Sequence, residues 1–227
     1  MNKRGSYMIV LENVNKNIGK KIILENINCQ IDSKNGVVGF VGKNGSGKTT
    51  LLKIISGIYE INSGRIAYKD KLSKDYMKWA HRNVVYISSD ERNLFYKNSV
   101  QDNVQYFCML KGADREHALH NIDIYFKLFH FDDLKNKRVE ELSTGQKKIV
   151  KILCALCTDC HFILLDEPTL GLDKEHTSMF YEILKQEGKE RKIIIVSHDE
   201  DFLSHVVSGY MEFDRQNNCI VKQYTNE

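Results

Sequence analysis

Proline is almost missing from the 227 residues; Pro168 is the only one. Proline-rich linkers and polyproline ligand segments are therefore excluded. Long apolar runs are missing too. The most apolar stretches, Ile149 to Cys157 and Phe162 to Leu165, fall far short of the ~20 residues that a membrane-spanning helix needs. Lys3 and Arg4 precede an apolar run at Tyr7 to Leu11, but it stops at Glu12, too short for the apolar part of a secretory signal. Charge of one sign is also lacking: 33 basic and 30 acidic side chains leave a net charge of +3. Short basic runs such as Lys135 to Arg138 and Lys189 to Lys192 are scattered, which suits a solvated surface better than a nucleic-acid groove. A soluble protein is expected, with any membrane role exercised through a partner.

What is present is a 42% hydrophobic chain, enough for a substantial core. Its length fits one large domain or two small ones. Six cysteines without a signal sequence suggest reduced thiols in a cytosol. Cys154, Cys157 and Cys160 have the spacing C-x2-C-x2-C, with His161 as the nearest fourth ligand for an iron–sulfur or zinc site. The simpler reading is that Cys154 and Cys157 share one helix face as small apolar residues.

Tyr7 to Val14 and Ile22 to Ile31 read as strands about a turn at Gly19. Val37 to Val41 is a short continuous apolar run, the pattern of a strand buried on both faces. A glycine-rich loop follows, then a helix from Lys48 to Ser56 ending at Gly57. Arg65 to Tyr68 and Val84 to Ile87 read as further strands. From Val100 to about Val139 the period becomes helical, with Tyr106, Leu110, His117, Leu119, Tyr125, Phe126, Leu128 and Phe129 on apolar stripes. A helix is expected from Thr144 to Cys157. Strand and helix then alternate: Phe162 to Leu165, Lys174 to Gln186, Lys192 to Val196, Asp201 to Val206, Tyr210 to Phe213. The alternation predicts an α/β fold with a mostly parallel sheet, an N-terminal antiparallel part and an inserted α-helical subdomain.

Three motifs carry chemistry. Gly42-Lys43-Asn44-Gly45-Ser46-Gly47-Lys48-Thr49 fits G-x-x-x-x-G-K-[ST]. Phosphate oxygens need several backbone N–H donors at once, and a glycine-rich turn lets the backbone approach. The helix that follows turns its positive end to the same place. Lys48 suits the β- and γ-phosphates of ATP, and the Thr49 hydroxyl suits Mg2+. Second, Ile163 to Leu165 is an apolar strand running into Asp166 and Glu167. Asp166 suits the Mg2+ shell, and Glu167 suits a general base on an attacking water. Third, Ser143 in Leu142-Ser143-Thr144-Gly145-Gln146 reads as a helix N-cap, which could be a cap alone or a second anion site.

With these motifs in this order, the chain from about Met8 to Val221 resembles the ABC ATPases. Leu142 to Gln146 is similar to their LSGGQ signature, with Thr144 in place of the first glycine. Gly42 to Thr49 and Phe162 to Asp166 resemble Walker A and Walker B, and Glu167 the catalytic carboxylate. Gly171-Leu172-Asp173 resembles the D-loop, and Val196 to Asp199 the switch region with His198 as its γ-phosphate histidine. Cys154 falls where the family often has arginine and Cys160 where it often has proline, so the thiols read as substitutions around a helix and not as a cluster site. Two positions depart from the pattern: Ile18 stands where an aromatic ring stacks on adenine, and Ser89 where a glutamine reaches Mg2+ and water.

The resemblance implies one P-loop NTPase domain over 1–227, with a nucleotide core at about 1–88 and 161–227 and the helical subdomain at about 99–158. It implies ATP bound by residues 42–49, Thr50 and Ile18, catalysis by Lys48, Glu167 and His198, and Mg2+ on Thr49 and Asp166. It implies a head-to-tail pair, identical or closely related, in which Ser143, Thr144, Gly145, Gln146 and Asp173 meet the partner's ATP. An integral-membrane subunit would dock in the groove near Ser88 to Tyr96 and the helical insertion, at the cytoplasmic face of the membrane. Ser88 to Arg92 is similar to short bacterial exporter ATPases, and no regulatory extension is expected after Val221, so export is the expected direction. The alternatives are a non-transport ABC ATPase, which tends to have tandem cassettes or a long coiled coil, and an ATP-gated dimerisation module with little turnover. A P-loop kinase or GTPase leaves Leu142 to Gln146 unexplained.

Overall fold

A computed structural model describes residues 8–32, 36–68, 73–88, 94–213 and 224–225. The chain begins with β1 (Met8–Ile18), β2 (Lys21–Asp32), β3 (Gly36–Val41), α1 (Lys48–Ile55), β4 (Ser63–Tyr68), α2 (Ser73–Asn83) and β5 (Val84–Ile87). It continues through α3 (Val100–Leu110), α4 (Arg115–Leu128), α5 (Thr144–Leu156), β6 (Phe162–Asp166), α6 (Lys174–Glu187), β7 (Lys192–Val196), α7 (Glu200–Val206), β8 (Gly209–Glu212) and β9 (Tyr224–Thr225). Short 3-10 turns at Asp132–Leu134 and Val139–Glu141 join α4 to α5.

Two sheets result. An antiparallel one has the order β2-β1-β4; the other has the order β5-β6-β7-β3-β8-β9, parallel except where β9 meets β8. Every residue of β6 and β7 is buried, which is why both read as unbroken apolar runs. The two-residue period divides them between two cores. Phe162, Leu164 and Ile194 join Phe40, Leu51, Leu52 and the buried face of the antiparallel sheet. Ile163, Leu165, Ile193 and Ile195 join Val150, Leu153, Phe126 and Phe180 on the helical side.

The structure departs from the sequence pattern in three places. The pattern announces no element between Tyr68 and Val84, yet α2 forms there. Its apolar signal is Tyr76, Trp79 and Ala80, spaced i, i+3, i+4 and all buried, with the partly buried Met77 beside them, amid polar residues. Trp79 stacks on Tyr68 with ring centroids 3.9 Å apart, and the Tyr76 hydroxyl donates to Ile55 O. Second, the helical stripes are partly misassigned. Phe126 and Phe129 are core, with Val104, Cys108, Ala118 and Ile122, whereas Tyr106, Leu110 and Leu128 are about half exposed and His117 is exposed. The true period places smaller residues inside. Third, the β1–β2 ladder is interrupted by bulges, where Asn13 and Asn26 take positive φ.

Candidate active site

The functional groups gather where the parallel strands end, the usual binding edge of an open α/β sheet. β3 feeds the loop at Gly42, and Gly47 precedes α1 with φ of 107°. A Cβ on Gly47 would lie 2.6 Å from Leu24 Cδ2, so β2 presses on the loop from beneath. No side chain caps α1, which leaves its first N–H groups for the loop mouth. The Lys48 ammonium is buried and donates to Gly42 O at 2.6 Å and Lys43 O at 3.1 Å. Burial holds it below the ordinary lysine range, against an opposite pull from the Glu167 and Asp166 carboxylates. Ser46 Oγ is buried without a hydrogen-bond partner among the described residues. A buried hydroxyl with spare donor capacity beside a lysine suits a phosphate oxygen.

Asp166 closes β6. Its Oδ2 accepts from the Thr49 hydroxyl and the Tyr86 hydroxyl, each at 2.9 Å. Register explains Tyr86: it lies opposite Leu164, and Asp166 is two residues further, on the same face. A carboxylate and two hydroxyls form the hard oxygen set that Mg2+ prefers, so these residues fit that ion. The sequence motifs do not name Tyr86.

Glu167 has a positive φ of 52°, rare for a residue with a side chain and costing roughly 1–3 kcal/mol. Four contacts hold it. Its N–H donates to Val196 O at 2.8 Å. Its carbonyl accepts from Lys148 Nζ at 2.9 Å. Its Oε2 accepts from the His198 N–H at 3.3 Å and the Ser197 hydroxyl at 3.4 Å. Its Oε1 lies 3.6 Å from His198 Nε2 and has no hydrogen-bond partner among the described residues. A carboxylate oxygen of this kind is suited to accept a proton from water.

Lys48, Thr49, Asp166, Glu167 and His198 thus form one connected group. The stretch Ser143 to Gln146 is bonded within its own turn. Ser143 caps α5 by accepting from the Gln146 N–H at 3.2 Å, and the Gln146 side chain returns to the Ser143 N–H at 3.0 Å. Ser143 and Thr144 are exposed. Asp173 caps α6 and accepts from the His176 N–H at 2.9 Å; that bond and the His176 ring hold its carboxyl below the usual range. Ile18 ends β1 with its side chain half exposed. Ser89 lies outside the described residues. Cys108, Cys154 and Cys157 are buried packing residues, and burial pushes the Cys154 and Cys157 thiols well up. No helix of the described residues is long and apolar enough to cross a membrane.

Comparison with known proteins agrees with this geometry. The family model described as ABC transporter matches residues 24–170. The chain is 34% identical over 164 residues to the ABC transporter ATP-binding protein NatA of Bacillus subtilis, covering 72% of the chain and 67% of NatA. It is 32% identical over 215 residues to the zinc uptake system ATP-binding protein ZurA of Listeria innocua, covering 88% and 82%. It spans only 37% of a matching ATP-binding protein of Clostridium tetani. Among solved structures, cbiO1 of Clostridium perfringens, part of the ABC transporter complex cbiONQ, superposes with a TM-score of 0.76 at 28% identity, covering 96% of this chain and 88% of cbiO1. The chain belongs to the ABC transporter family, among its ATP-binding cassettes, which are ATPases.

Proposed function

We propose that the chain is the ATP-hydrolysing subunit of a membrane transporter, with residues 1–88 and 161–227 as its nucleotide core and 99–158 as a helical subdomain that meets the membrane partner. The convergence of Thr49, Asp166, Glu167 and His198 on one edge of the sheet carries this reading. ATP lies along residues 42–49 and Thr50, with Ile18 packing near the base without a stacking ring. Mg2+, held by Thr49 and Asp166, supplies charge neutralisation for the phosphates. Glu167 takes a proton from the attacking water as its oxygen bonds to the γ-phosphorus, and the bond to the ADP oxygen breaks. Lys48 and His198 bind the charge on the γ-phosphate. Ser143 to Gln146 and Asp173 meet the nucleotide of a second subunit, so ATP joins the pair and hydrolysis releases it.

The surface that supports a membrane partner is an apolar face on α3. Phe95, Tyr106, Met109 and Leu110 are 46%, 47%, 49% and 59% exposed, and Phe95 meets Tyr106 edge to face at 5.0 Å. Tyr96, by contrast, packs inward. Exposed apolar residues this close together mark a protein contact. Through that contact the chain attaches to its membrane partner, at the cytoplasmic face. The resemblance at Ser88 to Arg92 favours export, the likeness to ZurA favours uptake, and transport in vesicles separates the two.

The test has two arms. Phosphate release by the purified chain should fall on the order of 10²–10⁴-fold in Glu167→Gln, with ATP still bound. Gentle-detergent purification from native cells should recover a multi-span membrane protein in near-equal amount. Equal phosphate release by both proteins removes Glu167 from catalysis. Recovery of ribosomes, DNA or soluble proteins alone transfers the chain to the non-transport ATPases.

A further inference from the structure

Helix α5 touches the catalytic segment at two points on one face. Gly145 and Lys148 are three residues apart, so they lie one above the other. At Gly145 a Cβ would sit 3.1 Å from the carbonyl oxygen of Gly171; glycine is what allows the two backbones to approach. At Lys148 a buried ammonium crosses to the Glu167 carbonyl at 2.9 Å. The start of α5 therefore bonds to the stretch from Glu167 to Gly171 at one end and lies against it at the other.

We propose that Lys148 is a positioning residue, which holds the Glu167 backbone in its left-handed conformation and so aims the carboxylate. This rests on the reading of Glu167 as the general base. A buried ammonium needs acceptors wherever it lies, but here it has the carbonyl of the residue with φ of 52°. A charged donor makes a stronger bond than a neutral one and offsets part of the backbone strain. Without it, the peptide after Glu167 relaxes and the carboxylate moves; a displacement of ~1 Å is enough to cost on the order of 10²-fold in rate. The same helix begins at Ser143, the residue proposed to meet the partner's ATP.

Four proteins test this: the wild type, Glu167→Gln, Lys148→Met and Lys148→Arg. Wild-type hydrolysis with loss in Glu167→Gln keeps the underlying reading; its failure there removes that reading and the proposal with it. With the reading intact, Lys148→Met should lower kcat about 10–100-fold, with ATP affinity changed less than about twofold. Lys148→Arg, which keeps a charged donor, should recover most of the rate. Combined with Glu167→Gln, Lys148→Met should leave ATP-driven dimerisation unchanged in size-exclusion chromatography. The proposal is overturned by a wild-type kcat in Lys148→Met, or by no recovery in Lys148→Arg. It is equally overturned if Lys148→Met loses ATP binding or dimerisation, because Lys148 would then serve the fold of α5 and not the placing of Glu167.

Discussion

The strand core and the α3–α5 layer mount their functional groups in opposite ways. In the core, Asp166 and Val196 end strands buried at every residue, so the groups at those ends are fixed by packing on both faces. In the helical layer, Ser143 and Thr144 stand on an exposed first turn, and an apolar face stays open at Tyr106, Met109 and Leu110. Groups that must hold atoms still sit on the rigid edge. Groups offered to other chains sit on the open side of a layer joined to the core by a shared apolar cluster and by buried polar bonds.

One such join is Arg191, just before β7. Its guanidinium is buried and donates to Leu156 O and Thr158 O at the end of α5, to Glu187 at the end of α6, and to the Tyr125 hydroxyl of α4. Tyr125 in turn donates to Glu187, and burial above all raises its phenol well beyond the usual range. Helices α4, α5 and α6 are thus tied to one buried residue. Arg191→Met leaves Glu187 without its cation and should cost about 3–5 kcal/mol. Calorimetry should then resolve two unfolding transitions in place of one, the helical layer melting first. A single transition at the wild-type temperature would erase the contrast drawn above.

A smaller effect is expected inside the core. Tyr86→Phe keeps the ring and removes the hydroxyl that donates to Asp166. Metal affinity should fall about tenfold, as with other groups that orient a ligand, measured with Mn2+ by electron paramagnetic resonance in the presence of ADP. Unfolding temperature should barely move. An unchanged affinity would mean that packing alone orients Asp166.

The smallest effect concerns protons. Burial lowers the Lys48 pKa below 10.5, so in the free site the ammonium loses its proton at lower pH than an ordinary lysine. A triphosphate favours the charged form and raises that pKa again. ATP binding should therefore take up a fraction of a proton as pH approaches 10.5 from below, and affinity should fall as pH rises through that window. Titration calorimetry in buffers of different ionisation enthalpy reads the uptake. Proton release on binding would reverse the sign and remove Lys48 as its source.

Much of the core is legible in the sequence because its strands are short, apolar and followed at once by chemistry. β3 runs into the Gly42 loop, and β6 runs into Asp166 and Glu167. Periodicity alone is weaker in the helical layer, where Tyr106 and Leu110 look like core and face outward, while Cys108 and Ala118 look incidental and are buried. The helical layer buries Phe126 and Phe129 but turns Tyr106, Leu110 and Leu128 outward. Tyr86 and Lys148 escape the sequence for another reason. Each acts through a partner 80 or 19 residues away, and only strand register or helix placement reveals the pair. Helix α2 escapes because Tyr76, Trp79 and Ala80, set among polar residues, give too faint a stripe.

That faint helix has an optical consequence. The sole tryptophan of the chain is Trp79, stacked flat on Tyr68 and edge-on to Phe162 of β6. Tryptophan emission therefore reports chiefly on the strand core, while far-ultraviolet dichroism reads both layers. Where the two signals part company during unfolding, the layers have come apart.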